Sequence, residues 1–284
     1  MSELLQQIDN NLYGLFIGNR FVSSHGDSRV DSVNPANGRT WYQISNADEA
    51  DVDSAVKAAR AALSNPAWSG ITQTARGKYL RKIGDLLAEH GERLAEIETL
   101  DNGKLIKEMR AQMASLPETY YYYAGMADKL TGETIPVNKS DVFNYTLREP
   151  IGVVGVIVPW NSPLYLLSNA LAPSLAIGNT LVVKPAENTS ASALEFAALI
   201  REAGVPDGVV NVITGTGEAT GDALARHPGI NKLAFTGGTD TGRKVATNAA
   251  SNLVPCTMEL GGKSPHVVFD DADPERAACL LYTS

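Results

Sequence analysis

The sequence predicts an α/β fold: a parallel sheet with helices on both faces. Three observations lead there. From residue 151 onward, short apolar runs of strand length alternate with stretches of helical periodicity, and strand–helix–strand alternation implies a parallel sheet with right-handed crossovers. The runs are continuously apolar, which suits strands covered on both faces. The chain has 284 residues, 44% of them apolar and 20% charged, enough to bury a sizeable core in one large domain or two smaller ones.

In chain order, residues 14–42 read as short strands and turns, with Asn34-Pro-Ala-Asn-Gly38 a strong turn signal. Val52, Val56, Ala59 and Leu63 give helical spacing over 49–64, and Leu80, Ile83 and Leu87 do so over 72–90. A third helix is expected over 91–100, broken at Asn102-Gly103, and a fourth over 107–130, interrupted or bent by Pro117. Its four successive tyrosines, 120–123, point in all directions around a helix, so they read as core-plus-surface residues and not as a binding strip. Residues 141–148 read as a strand. The sheet proper is expected from runs 152–158, 180–184, 209–213, 232–235 and 257–260, with helices over 163–177, 190–203, 218–226 and 239–250.

Charge and composition exclude several classes. The 24 Lys and Arg against 32 Asp and Glu leave a net charge of −8, the wrong sign for a nucleic-acid partner. The longest apolar run, 151–160, is strand-sized and far short of the roughly 18 residues of a membrane span, so no membrane partner is expected. The opening residues carry no basic segment followed by an apolar stretch, so no secretory signal is expected. Cys256 and Cys279 form neither a disulfide framework nor a zinc pattern, which fits a reducing, cytoplasmic location. His25, His90, His227 and His266 lack metal-ligand spacing, and no metal is expected.

Ligands of open parallel sheets bind beyond the carboxyl ends of the strands. The strand ends here read Pro159-Trp-Asn-Ser-Pro163, Lys184-Pro-Ala-Glu187, Thr214-Gly-Thr-Gly217, Phe235-Thr-Gly-Gly-Thr239 and Glu259-Leu-Gly-Gly-Lys263. Glycine lets backbone amides approach a phosphate, and a following helix N-terminus favours negative charge. Lys184 and Glu187 at one strand end suit ribose hydroxyls and a nearby phosphate. Single turns of this kind are ordinary: Gly215-Thr-Gly217 alone carries no weight. The stretch from Gly237 to Lys244 is similar to a phosphate-binding P-loop, but Arg243 stands where the lysine belongs and no Ser or Thr follows Lys244 to hold magnesium, which argues against a phosphotransferase. The Gly-x-Gly-x-x-Gly dinucleotide fingerprint is absent, since Gly152 and Gly155 lie within a strand. Cys256, near the start of a strand, reads as a small buried thiol.

Taken together, the strand-end motifs resemble the NAD(P)-dependent aldehyde dehydrogenase superfamily. The matching stretches are Arg148-Glu-Pro-Ile-Gly-Val-Val-Gly155, Pro159-Trp-Asn161, Ala176-Ile-Gly-Asn-Thr180, Lys184-Pro-Ala-Glu187, Phe235-Thr-Gly-Gly238 and Met258-Glu-Leu-Gly-Gly-Lys-Ser-Pro265, with Tyr122 to Pro136 upstream. The resemblance runs from about Gly18 to about Ala277. It implies a Rossmann-like cofactor domain from residues 1–138 and 151–258, an oligomerisation-arm hairpin over 139–150, and the start of a catalytic domain over 259–284. It implies NAD-dependent oxidation of a small-molecule aldehyde to a carboxylic acid by an intact homo-oligomer. Lys184 and Glu187 would hold the adenosine ribose, and the Glu187 carboxylate would repel a 2′-phosphate, so that NAD is favoured over NADP. Ile157, Val158, Pro159 and Trp160 would run along the cofactor; Gly217, Phe235, Thr236, Gly237, Gly238 and Leu260 would flank it. Asn161 would donate to the tetrahedral oxyanion, and Glu259 would be the general base.

The sequence departs from the family in one large respect. The family's nucleophilic cysteine follows the glutamate by roughly three dozen residues in a Gly-Gln-x-Cys-like segment, whereas only 25 residues follow Glu259. Neither Cys256 nor Cys279 stands in that context, and the ending after Ala277 does not resemble the family. The expectation is a chain truncated within the catalytic domain, and for residues 1–284 alone a catalytically inactive NAD-binding fragment. Ser162, and Asn169-Ala170 where the family often has an aromatic–lysine pair, imply a wider or more polar substrate tunnel and an aldehyde bulkier or more polar than acetaldehyde.

Overall fold

The computed structural model describes residues 12–283. The chain opens with β1 (Leu12–Tyr13), β2 (Leu15–Ile17), β3 (Arg20–Val22), β4 (Arg29–Asn34) and β5 (Arg39–Ser45). Strands β4 and β5 pair antiparallel around the predicted turn, where the Gly38 amide donates to the Asn34 carbonyl at 2.9 Å, and β1 adds alongside β5. Helix α1 (Glu49–Ser64) matches its prediction and begins with a capping box between Asp48 and Asp51. After α2 (Pro66–Ser69) comes α3 (Gln73–Asn102), one helix of 30 residues where two were expected. Gly91 does not break it. A helical glycine costs only about 1 kcal/mol, and Gly91 packs against Met113 of α4 (Ile106–Met126), where an added Cβ would lie in ordinary contact at 3.7 Å. The pairing of α3 along α4 outweighs the propensity. Helix α4 runs unbroken through Pro117 and stops at Met126, short of the expected residue 130. Tyr120 is buried and Tyr122 exposed, as the spacing implied. The strand expected over 141–148 shrinks to β7 (Asn144–Tyr145), because only β6 (Thr134–Ile135) lies opposite to pair with it.

The main sheet is built from β8 (Val153–Ile157), β9 (Thr180–Lys184), β10 (Val210–Val212), β11 (Lys232–Thr236) and β12 (Cys256–Glu259). Between them run α5 (Pro163–Ile177), α6 (Ala191–Glu202), a π-helical turn (Gly217–Gly221) leading into α7 (Asp222–Ala225), and α8 (Thr239–Ala250); α9 (Pro274–Thr283) follows. The helix expected over 218–226 is therefore split in two, with the Thr220 hydroxyl donating to the Ala47 carbonyl at 2.7 Å. The strand order is β12-β11-β8-β9-β10-β2-β3. The first five strands are mutually parallel, and the N-terminal hairpin β2–β3 extends the sheet antiparallel to β10. That extension was not legible in the sequence.

Alternate residues feed opposite cores. Val154, Val156, Leu181 and Val183 pack on one face against Leu167, Leu171 and Leu194 of α5 and α6 and Ile83 of α3. Val153 and Val182 pack on the other against Val52, Val56, Leu224 and Val245 of α1, α7 and α8. At β8 and β9 both faces are covered, which is why these two strands are almost wholly apolar, whereas β11 and β12 are only partly covered and carry Lys232, Thr236, Thr257 and Glu259. Among the described residues no helix is long and apolar enough to cross a membrane.

Helix α5 is held at its C-terminus from outside. Gly178 ends it at φ 94°, a left-handed conformation that favours glycine. The buried Trp68 indole donates to the Gly178 carbonyl at 2.9 Å, and the buried Arg76 guanidinium donates to Ala176 at 3.2 Å. Of the last carbonyls, which lack partners in the regular helix ladder, those of Ala176 and Gly178 are thus satisfied by α3 and α2, while Ser174 and Leu175 accept from the Asn179 and Gly178 amides.

Candidate functional site

The chain leaves β8 toward β9 and β10 on one side, then returns to β11 on the other. The switch in direction falls between β8 and β11, and the crevice beyond their carboxyl ends is where open α/β sheets bind ligands. Two adjoining clefts meet at that edge, the larger of which also runs back beneath α5 to Ile151 and Lys232 at the amino ends of β8 and β11. One, of about 570 Å³, is walled by Ile157, Val158 and Pro159 from the end of β8, by Lys184 and Glu187, and by Gly217. The other, of about 1060 Å³, contains Trp160, Asn161, Glu259 and Leu260. Pro159, Phe235, Thr236, Gly237 and Gly238 border both. Every site residue expected from the sequence therefore faces one of the two clefts.

The smaller cleft is electrostatically built. Lys184 is buried at the last position of β9, 3% exposed, and donates to Glu187 Oε2 at 3.1 Å, while Glu187 is 42% exposed. Burial pulls the Lys184 ammonium below its ordinary range, opposed by the Glu187 charge. For Glu187 the largest effect, burial, pushes upward; the Lys184 charge and backbone amides including that of Gly217 outweigh it, so the carboxyl stays below its ordinary value. Lys184 Nζ spends one N–H on Glu187 and keeps further N–H groups to donate. Gly215 shapes the approach. Its φ is 145°, and a Cβ there would lie 2.0 Å from Thr220 Oγ1. On α8, Thr241, Lys244 and Val245 also face this cleft; their i, i+3, i+4 spacing in the helix's first turns was the signal that sequence reading passed over.

In the larger cleft, Asn161 and Trp160 are exposed at the end of the β8–α5 turn, and Glu259 is exposed at the end of β12. Asn169 and Ala170 on α5 form part of the wall. Ser162 does not: it is buried, and its hydroxyl donates to the Asn161 carbonyl at 2.7 Å. Cys256 is half-buried at the opposite end of β12 from Glu259, where burial pushes its thiol up. Three residues of strand, roughly 10 Å, separate it from the carboxyl edge.

Behind the clefts, α3 carries two buried carboxylates. Asp101 accepts from the Tyr42 hydroxyl at 3.1 Å, and that same hydroxyl accepts the Ser190 and Ala191 amides at the start of α6. Glu98 accepts from the Leu164 amide at 2.9 Å and the Ser192 hydroxyl at 3.1 Å. Burial pushes the Glu98 carboxyl up to about 7, against its two hydrogen bonds and the charge of Lys104. Between its ordinary 4.5 and about 7, the folded chain holds this proton longer than the unfolded chain does. The Glu98 contribution to stability is complete below about pH 4.5 and is lost as pH rises through 7. Denaturant melts across that window should show Glu98→Gln abolishing a few kcal/mol of pH-dependent stability; parallel curves for variant and wild type would contradict it.

An open sheet of parallel strands with flanking helices and a cleft at its switch point defines the doubly wound class of α/β protein. The sequence profile of the aldehyde dehydrogenase family matches residues 21–284. A (Z)-2-((N-methylformamido)methylene)-5-hydroxybutyrolactone dehydrogenase of Acinetobacter baylyi is 47% identical over 92% of this chain and 53% of its own. Aldehyde dehydrogenase family 2 member C4 of Arabidopsis thaliana is 45% identical over 94% and 54%. Among solved structures, betaine aldehyde dehydrogenase of Staphylococcus aureus in complex with NAD+ superposes with a TM-score of 0.91 at 38% identity, covering 98% of this chain and 55% of that one. An NAD+ complex of aldehyde dehydrogenase from Bacillus cereus gives 0.91 at 42%, covering 98% and 56%. The chain belongs to the aldehyde dehydrogenase family, and it spans about half the length of the relatives it matches.

Proposed function

We infer that this chain supplies the NAD-binding part of an enzyme oxidising an aldehyde to a carboxylic acid. The observation that carries the reading is the convergence of Lys184, Glu187 and Gly217 on one cleft, beside a second cleft holding Asn161 and Glu259. Lys184 and Glu187 fit a ribose with a phosphate nearby: a donor with unused N–H groups stands beside an acceptor. NAD, once bound, would accept the hydride. The Asn161 amide would stabilise the oxyanion and Glu259 would take up a proton. Residues 1–138 and 151–258 form the cofactor domain in this reading, 139–150 the oligomerisation arm, and 259–284 the start of the catalytic domain, in a cytoplasmic homo-oligomer.

The nucleophilic thiolate lies outside these residues in this reading. Cys256 faces neither cleft, and Cys279 sits on α9. The 284-residue chain is expected to bind NAD and to give no NADH with any aldehyde, followed by absorbance at saturating cofactor. Steady turnover would show that the nucleophile is present after all. The absence of any calorimetric signal with NAD would overturn the cofactor reading.

Glu187 would exclude a 2′-phosphate by charge. Glu187→Gln is expected to narrow the preference for NAD over NADP by about tenfold in binding assays. An unchanged ratio would assign the discrimination to another group.

A further inference from the structure

We propose that Glu98 is a positioning residue that fixes the Asn161 turn and couples it to the helix behind the Lys184–Glu187 turn. The argument begins at the start of α5. Its N-cap, Ser162, makes no side-chain capping bond, because its hydroxyl is turned onto the Asn161 carbonyl. The first amides of a helix need acceptors, and Pro163 at the first position has no N–H to satisfy. The Leu164 amide is therefore the first donor to be satisfied, and its acceptor comes from another helix: Glu98 Oε1 on α3, 2.9 Å away and wholly buried. Leu164 lies three residues beyond Asn161, so this bond sets where the turn carrying Asn161 leaves the sheet.

The same oxygen accepts from the Ser192 hydroxyl at 3.1 Å. Ser192 belongs to the first turn of α6, whose own N-cap, Ser190, likewise makes no side-chain capping bond. One carboxylate oxygen thus joins the first turns of the two helices that follow β8 and β9. The other oxygen, Oε2, has no hydrogen-bond partner among the described residues. A glutamate in a packed core with half its acceptor capacity unused is costly as a purely structural element. The return is on the bonded side: a fixed separation between Asn161 and the Lys184–Glu187 pair. The functional meaning of that separation rests on the aldehyde dehydrogenase reading above; the mechanical coupling does not.

The test uses the whole chain and compares wild type, Glu98→Ala, Glu98→Gln and Ser192→Ala. Amide hydrogen exchange is read at Leu164 against Leu181 in the central strand β9, the Asn161 side-chain amide signals are read by NMR, and NAD affinity by calorimetry. Glu98→Ala is expected to speed exchange at Leu164 by about tenfold relative to Leu181, to shift the Asn161 signals, and to weaken NAD several-fold. Glu98→Gln keeps an acceptor at Oε1 and is expected to restore all three. Equal impairment by Gln and Ala, or unaltered Leu164 protection in the Ala variant, overturns the proposal. Should the Ala variant fail to fold, Ser192→Ala decides: it is expected to move the Leu164 amide resonance, which it does not touch, and an unmoved resonance overturns the coupling. If wild type binds no NAD, the cofactor reading fails by itself, while the exchange and Asn161 signals still decide the role of Glu98.

Discussion

Trp68→Ala is expected to lower the melting temperature by about 10 °C, the largest stability effect of any single substitution considered for this chain. The indole is 1% exposed and sits where α2, α3 and the end of α5 meet. Truncating a buried tryptophan costs about 3–5 kcal/mol in lost burial and cavity. Here the loss is compounded, because the Gly178 carbonyl at the C-terminus of α5 loses its donor and stays buried. Trp68→Phe separates the two contributions: it keeps most of the ring and should cost about 1–3 kcal/mol, the share of the hydrogen bond. Differential scanning calorimetry of the three chains measures both steps. A Phe variant as damaged as Ala would mean that the carbonyl, not the ring volume, is what matters.

Lys184→Met is expected to weaken NAD binding by about a hundredfold while leaving the melting temperature unchanged or raised. The two halves of that expectation have one cause. Lys184 is buried, with Glu187 as its ion-pair partner, so the folded chain already bears the cost of desolvating an ammonium. Methionine has a similar stem, fills the same space and removes that cost. Glu187, which is part-exposed, can be hydrated when its partner leaves. Binding loses the charge-assisted donors that the cleft offers to ribose and phosphate oxygens. Calorimetric titration with NAD alongside thermal melts reads both. Full affinity in a folded Met variant would mean that the ribose is held elsewhere; a collapsed melting temperature would mean that the ion pair is a structural element and not a binding one.

Much of the cofactor edge was legible because parallel strands announce themselves twice. Thr180–Lys184 is a continuous apolar run closed by a charge, and that closing charge is already a site residue. Pro163–Ile177 and Thr239–Ala250 were readable for the same reason: each follows a strand end and carries its own breaks. The N-terminal third was less legible. Leu15–Ile17 has only three residues, and its partner, Val212 opposite Phe16, lies almost two hundred residues away, so no local pattern reveals that it completes the sheet. Gly91 and Pro117 carry strong local signals against helix, and tertiary packing between α3 and α4 overrides both. Glu98 gave no sign at all. As a glutamate in a helical run it reads as a solvated surface charge, and only the fold shows it buried against the start of α5.

The placement of β2 has a consequence for how the protein is made. Its docking partner on the sheet, β10, ends at Val212. At a synthesis rate of roughly 5–20 residues per second, the ribosome needs about 10–40 s to travel from β2 to that point. Throughout that interval Phe16, fully buried in the finished molecule, has only its hairpin partner β3 to lie against. A segment made well before the main sheet is thus seated only after β10 is complete, and chaperone demand on the nascent chain should fall sharply once β10 emerges.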